Sequence, residues 1–332
     1  MTQKHIIGMG AALVDIIAPL SEAQFAQFTS PKGSMTLIDE RQAQNISNTL
    51  NSLAIKCETH AGGSVANSIA GIAHLNNNIN TTFIGKIGDD ELGRFFKDTT
   101  LACATKMPTQ AASVSTGLAT GLATGHCVAL ITPDGERTMH THLGASTHLS
   151  EADIPATMNT ASILLGEAYL WDTPSARDAF IEAAKQVHKH KGQVALSLGD
   201  TGVCDRHRAA LLAALATHID IVLANTSEAG VLCGTNNPAA SLAALGTHSV
   251  YAALTEGANG AWVCAGAGVS NTQQINHIPT AAVQNVMDST GAGDQFAAGF
   301  LTALVQGQSL QDAAMLGNKN AAAIIQKLGA RP

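Results

Sequence analysis

Residues 288–301 read D-S-T-G-A-G-D-Q-F-A-A-G-F-L, and this stretch carries more information than any other part of the chain. Gly291, Ala292 and Gly293 have almost no side chain, so a ligand can approach the backbone closely. The apolar helix predicted to begin there presents N–H groups and the positive end of its dipole, which together bind anions. Asp294 then either caps this helix or acts as a general base beside a phosphoryl group in transfer, with the three N–H groups stabilising the phosphoryl oxygens.

Outside this stretch, strand-like and helical segments alternate for most of the chain. Strands are predicted at 5–17, 55–60, 81–87, 194–198, 219–224 and 250–254. Helices are predicted at 21–28, 39–53, 65–75, 90–99, 174–191, 206–217, 292–305 and 309–328. This alternation is typical of a parallel sheet covered by helices. The fold class is therefore α/β, with a three-layer α/β/α body and a mostly parallel central sheet.

One region interrupts the alternation. Residues 108–143 show no helical period and are rich in Thr, Val, Ile and Gly, which predicts β-hairpins away from the main sheet. A short duplication, T-G-L-A-T-G-L-A-T-G-H at 116–126, is too short for a structural repeat and indicates a loop extension. Together with residues 12–40, this region predicts a small β-sheet lid on the α/β body.

Composition excludes several classes of protein. The chain has 332 residues and a net charge of −7, with 45% hydrophobic and 13% charged residues, which is unlike a disordered protein. An acidic chain with so few aromatic residues lacks the basic surface that nucleic acid or an anionic membrane requires. No apolar run reaches about 18 residues, so no membrane span is expected. Six scattered cysteines and the lack of a signal-peptide pattern favour a cytoplasmic protein.

The motifs give little or no support to three other kinds of site. Gly8-Met9-Gly10 follows a strand, but Leu13 stands where a dinucleotide-binding loop has its third glycine. No Walker-type phosphate loop is present. Thirteen histidines raise the question of zinc, yet no H-E-x-x-H motif occurs.

The motif at 288–301 matches at every position the signature of the ribokinase-like (PfkB) carbohydrate and nucleoside kinases, and the chain resembles their adenosine kinase branch most. Similar segments occur in the family's order at 8–16 (G-M-G-A-A-L-V-D-I), 60–69 (H-A-G-G-S-V-A-N-S-I), 85–93 (G-K-I-G-D-D-E-L-G), 220–229 (D-I-V-L-A-N-T-S-E-A) and 318–330 (N-K-N-A-A-A-I-I-Q-K-L-G-A). The resemblance implies one kinase domain over 1–332, with lid segments at about 12–40 and 108–143.

The resemblance also implies roles for individual residues. Asp294 would take the proton from the attacking hydroxyl, and Gly291, Ala292 and Gly293 would form the anion hole. The acceptor's hydroxyls would be held by Asp15, Gly62, Gly63 and Asn67, and Tyr169 falls near the position where the branch stacks an aromatic ring on a purine. Taken alone, Asp15 is equally typical of a turn at a strand end, and Asn67 of a polar helix face.

The same resemblance places the nucleotide and its ions. ATP would contact Asn225, Thr255, Gly257, Asn318 and the lid residue Arg137. Glu228 would support Mg²⁺ through water, and Asp288 matches a position that helps to hold a monovalent cation such as K⁺ in many relatives. On their own, Asn225 and Glu228 are typical of a helix start and Arg137 of a surface turn.

Departures from the branch leave the acceptor open. Ala11-Ala12 replaces an Asn-Pro pair, Val65-Ala66 replaces a more polar pair, and Ser197 stands where relatives often carry Asn or Asp. The resemblance favours phosphorylation of adenosine to AMP, a purine-salvage reaction. The alternatives are a kinase for a free pentose, hexose or sugar acid, and a catalytically silent ligand sensor on the same fold. The expected partners are only the acceptor and ATP, in a monomer or a homodimer.

Overall fold

A computed structural model describes residues 3–76, 78–103, 105–112, 122–266 and 274–332. In these ranges the strands are β1 (Lys4–Met9), β2 (Leu13–Pro19), β3 (Met35–Leu37), β4 (Glu58–Ala61), β5 (Ile79–Ile84), β6 (Gly125–Ile131), β7 (Arg137–His142), β8 (Ile163–Glu167), β9 (Gln193–Ser197), β10 (Ile221–Asn225), β11 (Tyr251–Thr255), β12 (Ala261–Ala265) and β13 (Gln274–Ile278).

The α-helices of the same ranges are α1 (Glu22–Phe25), α2 (Glu40–Ser52), α3 (Ser64–Leu75), α4 (Glu91–Ala102), α5 (Pro174–Lys189), α6 (Thr201–Arg206), α7 (Arg208–Thr217), α8 (Thr226–Cys233), α9 (Pro238–Leu245), α10 (Ala292–Val305) and α11 (Leu310–Ile324). Short 3-10 helices lie at Gly144–His148, Glu151–Asp153, Ala156–Thr160, Ala168–Asp172 and Gly257–Asn259.

The main sheet has the strand order β13-β12-β11-β10-β9-β8-β1-β5. Strands β5, β1, β8, β9, β10 and β11 pair in parallel, whereas β12 and β13 pair antiparallel at one edge. The strands β1, β8, β10 and β11 therefore all end at the same edge, which is where open α/β sheets bind their ligands.

Helices cover both faces of the main sheet. One buried cluster contains Phe180 of α5, Leu211 of α7 and Leu232 of α8, and the other contains Ile69 of α3 and Phe300 of α10. Burial of this much apolar surface on both faces stabilises the sheet between its helices. The predicted three-layer α/β/α architecture is confirmed.

Two glycines let α3 approach both the sheet and α10. A Cβ at Gly8 on β1 would lie 2.5 Å from the Ile69 side chain, and a Cβ at Gly71 would lie 2.8 Å from that of Ala298 on α10. Gly8 is therefore explained by helix–strand packing rather than by dinucleotide binding. Because α3 and α10 pack this closely, their N-terminal turns lie side by side at the ligand-binding edge.

A second, five-stranded sheet has the order β3-β7-β6-β2-β4. Helices α1 and α2 cover one of its faces, with Phe25 and Leu50 packing against Val128 and Leu130. This sheet uses Glu58–Ala61 as an edge strand, which lies outside both predicted lid segments, 12–40 and 108–143. Residues 113–121, which hold most of the short duplication, lie outside the described residues.

Two predicted elements are divided in the structure. The single strand predicted at 5–17 is β1 and β2, which belong to different sheets, because the backbone turns at residues 10–12. The helix predicted at 206–217 is α7 apart from its first two residues: Arg206 is the last residue of α6, and the helix breaks at His207, whose ring hydrogen-bonds Asp172 at 2.7 Å. Both breaks depend on contacts with distant residues.

Candidate active site

The loop at 288–291, here called the anion loop, leads into α10 at the ligand-binding edge. Gly291 has φ +78°, a conformation that favours glycine, and a Cβ there would meet Ala330 at 2.5 Å. The N–H groups of the first helical turn have no acceptor within the helix, although that of Ala292 reaches the Ser289 carbonyl at 3.3 Å. Space beside Gly293 is open, since no atom lies within 4 Å of a Cβ built there. The loop can therefore bind an anion through its backbone.

Asp294 lies in the first turn of α10 and is bonded to the first turn of α3. Its carboxylate accepts a hydrogen bond from Ser64 Oγ at 2.6 Å and another from Asn67 Nδ2 at 2.9 Å. Desolvation raises the pKa of Asp294, and the bonds from Ser64 and Asn67 oppose that rise. A half-buried carboxylate with a raised pKa is a competent proton acceptor next to an anion hole.

Asp15 reaches the same place from the second sheet. A Cβ at Gly62 would collide with the Asp15 carboxylate, so a larger residue there would displace this carboxylate from its present position. The next residue, Gly63, has φ +85° and is the N-cap of α3, and a Cβ there would collide with the Ala11 carbonyl. Burial, followed by the charge of Asp294, raises the pKa of Asp15 to about 6. The structure thus brings Asp15, Gly62, Gly63 and Asn67 together beside Asp294.

Sequence reasoning missed Glu167, at the end of β8. Its side chain is buried, and its oxygens accept hydrogen bonds from Ala11 N at 2.8 Å and Val65 N at 3.1 Å. Burial is the largest cause that raises the pKa of Glu167 to about 7. One carboxyl thus joins the backbone turn between the two sheets to the start of α3. Its position at the end of a buried strand was the available signal.

Two further residues of the site were also missed. Ser64 lies in the family-like segment 60–69, where no role was predicted for it, and its hydroxyl donates a hydrogen bond to Asp294. Arg331 follows the last quoted motif and donates from Nε to Asn67 Oδ1 at 3.1 Å. No local pattern pointed to Arg331, because its contacts are 231 to 269 positions away in the chain.

An apolar cavity of about 450 Å³ lies on the other side of the anion loop. Thr255, Gly257 and Asn318, the predicted ATP residues, line it together with Gly293 and Phe296. Asn318 is 6% exposed, and its Nδ2 donates to the Ile278 carbonyl at 3.0 Å. Asn318 therefore also holds one wall of the cavity in place. The size and apolar lining suit a planar nucleobase.

Asn225 and Glu228 form the capping box of α8, as in the helix-start interpretation of this pair. Asn225 Oδ1 accepts from Glu228 N at 2.8 Å, and Asn225 N donates to Glu228 Oε2 at 2.9 Å. Burial, with Asp200 and Asp294 as like-charged neighbours, raises the pKa of Glu228 to about 7. Such unbalanced negative charge fits a divalent cation. The described residues contain no cluster of three acidic, histidine or cysteine ligands, so phosphate oxygens and water would complete the coordination of Mg²⁺.

Arg137 and Asp288 connect the second sheet to the anion loop. Arg137 Nη2 pairs with Asp288 Oδ1 at 2.8 Å, and Nη1 donates to Thr290 Oγ1 at 2.5 Å. Asp288 also accepts from Thr290 N at 2.8 Å and from Gly329 N at 3.1 Å. These three donors leave one acceptor position of the carboxylate free, and a role of Asp288 in holding K⁺ stays a prediction. The structure places Arg137 beside the loop, and its contact with ATP stays a prediction.

Tyr169 lies in the 3-10 helix after β8. Its OH donates to the Gly199 carbonyl at 3.2 Å, and its ring packs against Gly199. Burial, with Asp200 and Glu167 next in effect, raises the pKa of Tyr169. This phenol therefore borders the acidic side of the site, and its ring is already in contact with protein.

Three features are those of an ATP-dependent phosphotransferase that uses an alcohol as acceptor: free N–H groups at a helix N-terminus, a half-buried carboxylate beside them, and a cavity of nucleobase size. The chain belongs to the pfkB family of carbohydrate kinases, because the family model matches residues 33–332.

Known proteins agree with this assignment. An adenosine kinase structure from Sinorhizobium meliloti is 31% identical, with a TM-score of 0.88 over 100% of this chain and 96% of its own. A structure of a probable sugar kinase from Rhizobium etli gives the same values. An adenosine kinase from Schizophyllum commune is 28% identical over 286 residues, which are 81% of this chain and 80% of its own. The fold is thus ribokinase-like. No helix in the described ranges has the length and apolar character needed to cross a membrane.

Proposed function

We propose that this kinase phosphorylates adenosine to AMP, a purine-salvage reaction. The observation that carries the proposal is the character of the second-sheet face that bears Asp15 and Arg137, here called the inner face. Cross-strand register places Asp15 beside Cys127, Ala129 beside Met139, and Ile131 beside Arg137. A carboxylate thus lies at one end of this face, with His60 and Thr141 near it, and a guanidinium lies at the other end, with the apolar Ile17, Ala129 and Met139 between them.

This arrangement suits a nucleoside better than a free sugar. Asp15 can accept hydrogen bonds from two vicinal ribose hydroxyls, while Ile17, Ala129 and Met139 offer an apolar surface to a flat base. A free sugar presents hydroxyls on every side, and an apolar wall would leave some of them without partners at a cost in binding.

The proposed chemistry takes place at the first turn of α10. The ionised Asp294 removes the proton of the acceptor's primary hydroxyl as that oxygen bonds to the γ-phosphorus, and the bond to the β-phosphate oxygen breaks to release ADP. The N–H groups of Gly291, Ala292 and Gly293 stabilise the charge on the equatorial oxygens. Arg137 holds the second sheet against this loop and limits the access of water.

The nucleotide would lie with its base in the 450 Å³ cavity and its phosphates over Gly293. Glu228, with water between, would hold Mg²⁺, which supplies charge neutralisation to the phosphates when bound. No step in this scheme depends on K⁺. A cytoplasmic location and a monomeric or dimeric state stay predictions from the sequence.

The second candidate is a kinase for a free sugar. Ala11 and Ala12 are the observation that favours it, because their side chains offer no amide to fix a nucleoside, and Ala12 is fully buried. The similarity to a probable sugar kinase is equal to that of the adenosine kinase structure.

The test is ADP formation with Mg·ATP against adenosine, inosine, guanosine, ribose, fructose and 2-keto-3-deoxygluconate, with and without K⁺. Turnover with adenosine, well above that with ribose, is the expected result. A companion variant, Met139→Gln, should weaken the binding of adenosine and leave the binding of a free sugar unchanged, because it places a polar group on the inner face. Turnover confined to a sugar would contradict the adenosine proposal and leave the kinase assignment intact.

A further inference from the structure

Residues 329–331 form a short segment that touches both halves of the active site. Gly329 N donates to Asp288 Oδ2 at 3.1 Å, and the Ala330 carbonyl accepts from Gln295 Nε2 at 2.9 Å. Ala330 also packs against Gly291, where a Cβ would leave no room for it. The segment is therefore fixed to the anion loop and to α10 by three separate contacts.

From this segment the side chain of Arg331 extends to the acceptor side. Its Nε donates to Asn67 Oδ1 at 3.1 Å, its Nη2 to the Gly62 carbonyl at 3.0 Å, and its Nη1 to Thr100 Oγ1 at 3.4 Å. The guanidinium also lies over the Phe96 ring, 5.2 Å from its centroid. Each of the three guanidinium nitrogens thus donates to a protein acceptor, which fixes the plane of the side chain.

These contacts decide how Asn67 faces Asp294. The Asn67 amide has one donor end and one acceptor end, and its Nδ2 donates to Asp294 Oδ2 at 2.9 Å. A rotation of the amide by half a turn would place its oxygen against the carboxylate and its NH₂ against the guanidinium. Arg331 accepts no hydrogen bond, so it permits only the orientation in which the NH₂ group points to Asp294.

We propose that Arg331 is a positioning residue for phosphoryl transfer, which acts through Asn67 and Gly62 to orient the general base Asp294 and the acceptor turn. The proposal rests on the proposed phosphotransfer function. Arg331 does not touch the nucleotide cavity, whose lining residues do not include it. It links the loop that binds phosphate to the turn that binds the acceptor, so that both are held in one geometry.

Its charge has a second consequence. The charge of Arg331 opposes the raised pKa of Asp294, and among the charges near Asp15 it has the largest opposing effect on the raised pKa of that carboxyl. Removal of this charge should raise the pKa of the general base. Because Asp294 must be ionised to accept a proton, the acidic limb of the pH–rate profile should move to higher pH.

The test compares the wild type with Arg331→Gln, Arg331→Lys and the control Arg177→Gln, an exposed arginine of α5. We expect Arg331→Gln to lower kcat roughly 10- to 100-fold and to leave KM for ATP nearly unchanged. Its acidic limb should move up by about one pH unit. Arg331→Lys keeps the charge without the fork, so its limb should stay near that of the wild type while kcat remains low. Arg177→Gln should change neither.

A double-mutant cycle with Asn67→Ala shows whether Arg331 acts through Asn67. The loss caused by Arg331→Gln should largely disappear in the Asn67→Ala background. Two results would overturn the proposal: an acidic limb in Arg331→Gln at the same pH as in the wild type, or decreases of kcat in the two single variants that multiply in the double variant. A residue needed only for folding would give these results. Thermal unfolding of each variant establishes the folded fraction. If Arg331→Gln does not fold, Arg331→Lys takes its place in the double-mutant cycle.

The outcome for the wild type separates this proposal from the function on which it rests. A wild-type protein that turns over no acceptor contradicts the proposed function itself. A wild type that is active, with an Arg331→Gln limb that does not move, contradicts only the role of Arg331.

Discussion

Replacement of Asp294 by asparagine removes the proposed proton acceptor and keeps its shape. The carboxylate accepts from Ser64 at 2.6 Å and from Asn67 at 2.9 Å. In Asp294→Asn the amide oxygen still accepts from Asn67, and the new NH₂ group donates to Ser64, whose hydroxyl rotates to accept. Both contacts survive, so the fold and the ATP cavity should be unchanged.

The size of the effect follows from what is lost and what is kept. Turnover should fall about 100- to 10,000-fold, the usual contribution of a general base. Stability should not fall and should rise by about 1 kcal/mol, since a desolvated charge beside Asp15 and Glu167 is removed. The same removal should lower the pKa values of those two neighbours.

The assays are kcat with the preferred acceptor, ATP affinity by calorimetry, and urea unfolding. Asp312→Asn is the matched control, because Asp312 holds the same position in the first turn of α11 that Asp294 holds in α10. It should lose neither turnover nor ATP binding. Undiminished turnover in Asp294→Asn would refute the general-base assignment, and lost ATP binding would refute the claim that only chemistry is affected.

Three other variants test the surroundings of the base. Asp15→Asn should raise KM for the acceptor about 10- to 100-fold, because a charged hydrogen-bond acceptor is lost. The wild-type KM should rise below pH 6, because this carboxyl has a pKa of about 6 and becomes protonated there. An unchanged KM in the variant would show that Asp15 is not part of the acceptor site. Burial raises the pKa of Glu167 from 4.5 to about 7, so the folded state holds that proton more tightly than the unfolded chain, and unfolding free energy falls as pH rises through this window. Between pH 5 and 7.5, the unfolding free energy of the wild type, measured in urea, should therefore fall by about 2 kcal/mol more than that of Glu167→Gln. The lost hydrogen-bond acceptor changes the stability of the variant by the same amount at every pH, so it does not affect this difference. Equal pH dependence of the two unfolding free energies would contradict the prediction. Arg137→Gln should lower kcat/KM for ATP about tenfold and speed amide exchange in β7, because its pair with Asp288 ties the sheets together; exchange that stays as slow as in the wild type would count against that tie.

Most of the fold could be predicted from periodicity and from the end signals of helices. The polar helix that became α2 has Asp39 and Gln42 in a capping box, and α1 has Ser21 and Gln24 in another. The prediction of a single strand at 5–17 was wrong, because the apolar pattern of these residues continues through the turn between β1 and β2. That turn is fixed by Glu167, a residue about 156 positions away, and no local pattern records such a contact.

The site was predictable where a short motif carries it. Residues 291–294 are adjacent in sequence, and their chemistry follows from small residues at a helix start. Ser64 and Arg331 could not be assigned in this way, because their partners are Asp294 and Asn67 on other elements. The position of β4 in the second sheet was missed for the same reason, since pairing with β2 is a tertiary contact.

The most direct test of the account is to follow the γ-phosphate itself. ATP with a radiolabelled γ-phosphate is incubated with adenosine and ribose together, and the labelled products are separated for the wild type and for Asp294→Asn. We expect label in AMP with the wild type and almost none with the variant. Label in a sugar phosphate alone, or AMP formed equally well by Asp294→Asn, would contradict it.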